Sequence, residues 1–95
     1  MIKSFADRET KRIFERQNVK KLQSGITKNA YKKLLMLDAA DLLADLRIPP
    51  GNRLEKLSGS LSGYYSIRIN DKWRIIFAWQ NSNASNVQII DYHKG

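Results

Sequence analysis

The sequence contains no cysteine and a single histidine, His93. Disulfide and thiolate chemistry are therefore excluded, and a structural zinc site lacks its ordinary ligands. A chain without cysteine suits a reducing compartment. Its five glycines are scattered, so no Gly-rich phosphate loop can be drawn. A Ser-His-Asp triad would have no nucleophile-elbow motif behind it. No run approaches the roughly 18 apolar residues of a membrane-spanning helix. The opening MIKSFADRETKR has no apolar stretch of signal-peptide length, so a cytoplasmic protein without a membrane partner is expected. Acidic residues are also scarce: nine Asp and Glu stand against seventeen Lys and Arg, a net charge of +8 on 95 residues. A small domain this basic is suited to a polyanionic or acidic partner, such as nucleic acid, a membrane surface or an acidic protein.

What is present is enough for one small domain, residues 1–95, with a modest core: 42% of the residues are apolar. The most informative stretch is YYSIRINDKWRIIFAWQ, residues 64–80. Tyr65, Ile67 and Ile69 alternate with Tyr64, Ser66 and Arg68. After Asn70-Asp71-Lys72, the residues Trp73, Ile75, Phe77 and Trp79 alternate with Arg74, Ile76 and Ala78. Period-two alternation of β-branched and aromatic residues predicts two strands, and Asn and Asp favour the turn between them. If both apolar rows share one core, Ile67 faces Ile75 and Ile69 faces Trp73, because a slip of one residue would turn a whole row into water. Arg68 then lies opposite Arg74 on the other face. Like charges in that position repel, so the pair reads either as an anion site or, more plainly, as two arginines on a solvated face.

Elsewhere the pattern predicts a short strand at 2–5 and a helix over 8–16 capped by Asp7. A connection follows over 18–25 and carries Lys20 and Lys21. A stronger helix over 28–38 has Thr27 as its cap and Ala30, Leu34 and Leu37 on its apolar stripe. Its outer side carries Lys28, Lys32 and Lys33, which is either a solvated face or a docking surface. Asp38 or Asp41 can cap a last helical turn through Leu42, Leu43 and Leu46, which Pro49-Pro50 stops. A strand over 53–57, a loop over 58–63, the hairpin, a polar turn over 80–86 and a last strand over 87–92 complete the chain. The order is β-α-α-β-β-β-β, an α+β fold with N-terminal helices packed on one face of a small antiparallel sheet.

The residue inventory suits one metal-free reaction, cleavage of RNA through its own 2′-hydroxyl. That chemistry needs a proton acceptor, cations for the charge on phosphorus and a donor for the leaving 5′-oxygen. Arg68 and Arg74 are candidate cations, with Lys56 near them in sheet order. Glu55, Asp91, Tyr92 and His93 are candidate proton-transfer groups, and Tyr64, Tyr65 and Tyr92 can stack on bases.

The runs PPGNRLEKLSGSLSGYYSIRINDKWRIIFAW and VQIIDYH, with MIKSFADRET and KLLMLDAADLLADLRIPPGNRLEKL before them, resemble the HigB-type toxins of the RelE/ParE superfamily of type II toxin-antitoxin systems. The resemblance implies a RelE-like twisted sheet. It also implies a ribosome-dependent endoribonuclease that cuts mRNA in the ribosomal A site, inhibiting translation and growth, and is neutralised by a HigA-like helix-turn-helix antitoxin. Operator DNA would be contacted only through that antitoxin. By resemblance Arg74 and Arg68 contact the scissile phosphate, and Asp91, Tyr92 and His93 form the C-terminal motif. Glu55 departs from a histidine carried by some relatives, which makes His93 the first choice of acid/base and Glu55 the second. Lys20, Lys21, Lys28, Lys32 and Lys33 would dock on the ribosome. The alternatives are a ParE-like gyrase poison and a non-catalytic relic that only binds its antitoxin.

Overall fold

A computed structural model describes residues 1–17, 19 and 24–91 of the chain. Two helices come first, α1 at Arg8–Phe14 and α2 at Ser24–Ala39, followed by short 3₁₀ turns at Leu43–Arg47 and Pro50–Asn52. Four antiparallel strands follow in spatial order β1-β2-β3-β4: Glu55–Lys56, Tyr64–Arg68, Trp73–Gln80 and Asn83–Asp91. The fold is α+β, with the helices on one face of the sheet.

Helix α1 starts where Asp7 accepts a hydrogen bond from the Thr10 amide at 2.7 Å, and Glu9 in its first turn complements the helix dipole. It stops two residues earlier than the pattern predicts, because Arg16 adopts a left-handed conformation (φ 61°). The Thr10 hydroxyl, fully buried, accepts from the Ile89 amide at 3.0 Å and so pins α1 to β4. Helix α2 begins at Ser24, ahead of the predicted cap Thr27, and buries Ala30, Leu34 and Leu37. These pack with Ile13 on Ile67, Ile75, Phe77, Val87 and Ile89 of the sheet. The hairpin has the predicted register, with Ile67 opposite Ile75 and Arg68 opposite Arg74. Its turn is closed by Asn70 Oδ1, which accepts from the Lys72 and Trp73 amides.

Four expectations need correcting. The segment 2–5 is not a strand of its own. It runs beside β4 through two isolated parallel bridges, Ile2 to Ala84 and Phe5 to Val87. Asp38 does not cap the last helical turn, because its carboxylate accepts from the Ile2 amide at 2.8 Å, and Asp45 receives the Asp41 and Leu42 amides instead. The strand expected over 53–57 shrinks to two residues. The polar run 80–86 is mostly strand: only Asn81 and Ser82, with φ of 54° and 62°, form the turn, and β4 starts at Asn83. What makes a strand of Asn-Ala-Ser-Asn is backbone pairing on both sides. Asn83 and Ser85 face Gln80 and Ala78 of β3, while Ala84 between them donates its amide to the Met1 carbonyl and accepts from the Lys3 amide on the other side. Asn86 (φ 52°) then adds a bulge, so that Ala78 faces Ser85 while Ile76 faces Gln88. The bulge returns Val87 and Ile89 to the core.

Candidate active site

Strand alternation divides the predicted site residues between two faces. Tyr64, Ser66 and Arg68 of β2 share the face turned away from the helices with Arg74 of β3. Glu55 joins them, because it is the partner of Ser66. Lys56 pairs with Tyr65 and lies in the other row. Tyr65 belongs to the core side, where its ring stacks on Phe77 at 6.2 Å. Asp91 is opposite Trp73, one register position from the row of Arg74, and its carboxylate is 3.7 Å from the Lys72 ammonium. Tyr92, His93, Lys20 and Lys21 lie outside the described residues.

Arg74 is 95% shielded from solvent, so the plainer reading of a solvated arginine does not apply to it. Its guanidinium is held at every nitrogen. Nε donates to the buried Ser66 hydroxyl at 3.0 Å, Nη2 donates to the Arg53 carbonyl at 2.6 Å, and Nη1 stands 3.6 Å from Glu55 Oε1. A planar fork fixed in this way keeps its orientation when a ligand arrives. Arg68, half-exposed, pairs with Asp71 in the hairpin turn. The two opposed arginines are thus each balanced by an acid from another element, which offsets the repulsion their register imposes. Around them is a pocket of about 240 Å³ lined by Arg53, Glu55, Arg68, Asn70, Asp71 and Arg74. Three arginines and two exposed carboxylates give its lining an excess of positive charge, which suits an anion.

Arg53 was not singled out from the sequence. The signal available was PPGNR, a proline-glycine turn just ahead of a strand, which marks a sharp reversal of the chain but not its direction relative to the sheet. Of the lysines on α2, Lys28 and Lys32 are exposed. Lys33 instead donates to the Asn52 side chain, and its pKa is lowered by burial. The Tyr64 hydroxyl accepts from Asn86 Nδ2 at 3.1 Å, across β3.

The model of the HigB-like toxin family, described as RelE-like toxins of type II toxin-antitoxin system HigB, matches residues 3–93. The chain belongs to the HigB-like toxins. It is 42% identical to Toxin HigB-1 of Vibrio cholerae serotype O1 over 95 residues, 99% of each chain. It is 30% identical to Endoribonuclease HigB of Proteus vulgaris over 93 residues, 98% of this chain and 100% of that one. Among solved structures it is similar in fold to YoeB from the YoeB-YefM complex of Staphylococcus aureus, with a TM-score of 0.61, 22% identity and coverage of 98% and 95% of the two chains. A variant of YafQ from Escherichia coli gives a TM-score of 0.61 at 16% identity, covering 99% and 94%. The last two likenesses establish the RelE-like fold. Membership of a type II toxin-antitoxin family implies an antitoxin as partner of this HigB-like toxin.

Proposed function

We propose that this HigB-like toxin is a ribosome-dependent endoribonuclease that cuts mRNA in the ribosomal A site without a metal. The observation that carries the reading is the buried, triply held guanidinium of Arg74 beside Arg68 in a pocket open to solvent. The name of the Proteus vulgaris relative supports the same class of chemistry.

In this reading the scissile phosphate displaces Glu55 and Asp71 from the two guanidinium groups. The 2′-hydroxyl attacks phosphorus, its proton passes to a base, and the 5′-oxygen leaves with a proton from an acid. Arg74 and Arg68 stabilise the charge that accumulates on the phosphoryl oxygens. Glu55, exposed in the pocket beside Arg74, is the second candidate for the 2′ proton after His93. His93, two residues beyond the end of β4, supplies the proton group that the family motif implies, with Tyr92 positioning a base. Asp91, held by Lys72, anchors the strand end that leads to them. Tyr64 shares the face and is offered for stacking, while Lys56 reaches the RNA from the edge strand and Tyr65, packed on the core side, supports the sheet beneath it. Lys28 and Lys32 extend the contact to ribosomal RNA, and a HigA-like antitoxin neutralises the toxin and carries it to operator DNA.

The test is mapping of new 5′ ends in cellular mRNA after brief induction, wild type beside Arg74→Ala. Loss of one charge-stabilising donor costs on the order of 10²–10³ in rate, so new ends within translated frames should vanish in the variant and also when initiation is blocked. Growth arrest without new ends would replace this reading with gyrase poisoning. Antitoxin binding without growth arrest would leave a non-catalytic relic.

A further inference from the structure

We infer that Arg53 is a third phosphate-binding residue of this pocket, an inference that rests on the ribonuclease reading for its substrate but not for its geometry. Three independent observations meet at this residue. Arg53 lines the pocket with Arg68 and Arg74 and is exposed. Arg68 pairs with Asp71 and Arg74 with Glu55, whereas Arg53 forms no ion pair among the described residues. Its backbone is left-handed, with φ 45° and ψ 57°, a conformation that suits glycine, is tolerated by asparagine and costs other residues through the Cβ.

The backbone conformation has a local cause and a local consequence. Arg53 terminates the 3₁₀ turn Pro50–Asn52 with its amide donating to the Pro50 carbonyl at 3.1 Å. The reversal aims the Arg53 carbonyl at Arg74 Nη2, 2.6 Å away. That service needs only a carbonyl and a left-handed residue, which glycine would supply without steric cost. The sequence instead places an exposed arginine there, on the lining of a pocket that also holds Arg68 and Arg74. Sparsely populated backbone conformations cluster at binding sites because surrounding structure holds them for a purpose. The carbonyl of Arg53 therefore positions Arg74, and its side chain supplies a free cation that meets a non-bridging phosphate oxygen, either of the scissile group or of its neighbour on the RNA backbone. The pocket then holds a phosphate without first breaking every resident ion pair.

Glycine separates the two roles, since it keeps the carbonyl and the conformation and removes only the cation. The wild-type toxin, Arg53→Gly and Arg53→Asn are titrated with a short single-stranded RNA whose 2′-hydroxyls are methylated and which cannot be cut. Fluorescence anisotropy is read over a series of salt concentrations, with melting temperature and cleavage of mRNA on programmed ribosomes measured alongside. Both variants are expected to melt at or above the wild-type temperature. They should bind the RNA more weakly, with a salt slope smaller by about 0.7, the value for one phosphate contact on a single strand, and should cut roughly tenfold or more slowly. Arg53→Lys should restore most of the slope. An unchanged slope in both folded variants overturns the inference, as does a wild-type protein that does not bind the methylated RNA. A changed slope in a protein that cuts no mRNA keeps the phosphate site and removes the ribonuclease reading.

Discussion

Arg74 takes its orientation from the residues that surround it rather than from its own strand. Ser66, on the neighbouring strand and fully buried, accepts from Nε. Replacing Ser66 by Ala removes the acceptor and leaves a buried charged donor unsatisfied, which costs about 1–3 kcal/mol. Urea denaturation of Ser66→Ala should show that loss. Single-turnover cleavage should fall beyond what the remaining folded fraction explains, because the guanidinium then loses the contact that fixes its Nε. A variant that is destabilised but cuts at the wild-type rate per folded molecule would confine Ser66 to stability. Arg68 differs in kind: it is half-exposed and paired with an almost fully exposed Asp71. Such a pair contributes little to stability, so Arg68→Ala is expected to leave the melting temperature near that of wild type.

At the scale of elements, the hairpin turns decide which face each side chain meets. The three-residue turn 70–72 gives β2 and β3 the register that opposes Arg68 to Arg74. The β3–β4 turn is Asn81-Ser82, both left-handed, and only Asn is at ease in that conformation. Ser82→Gly should therefore raise stability by roughly 1 kcal/mol, the order of the left-handed penalty for a non-glycine residue, visible as a higher melting temperature with unchanged cleavage. A lower melting temperature would mean that the serine side chain contributes a contact outweighing its backbone cost. Helix α1 rests on the Asp7 cap and on Thr10, whose hydroxyl reaches β4. These ties hold a short helix whose own apolar stripe is thin.

At the scale of the molecule, the sheet separates two basic surfaces. The pocket with Arg53, Arg68 and Arg74 lies on one face, and the outward side of α2, with Lys28 and Lys32, lies beyond the helices that cover the other. Cations therefore stand on both sides of a chain whose net charge is +8. Charge reversal of Lys28 and Lys32 together should weaken co-sedimentation with ribosomes and flatten its salt dependence, while binding of a short free RNA at the pocket stays as in wild type. Ribosome binding that is insensitive to both salt and these substitutions would remove α2 from the docking surface.

The sequence by itself determined the α+β class, the two helices, the central hairpin and its register, because alternation with period two and the 3.6-residue stripe are local consequences of burying one face. It also marked Arg68 and Arg74 as a pair. Only the tertiary structure decided that Arg74 is buried and held from three sides, that Lys56 falls in the row of Tyr65, and that Arg53 joins the pocket. These depend on how a two-residue strand and a 3₁₀ turn are laid against a hairpin, contacts between Arg53 and Arg74 across 21 positions that no local pattern encodes. The strand hidden in the polar run 83–86 has the same explanation: its backbone is paired by residues from the start of the chain.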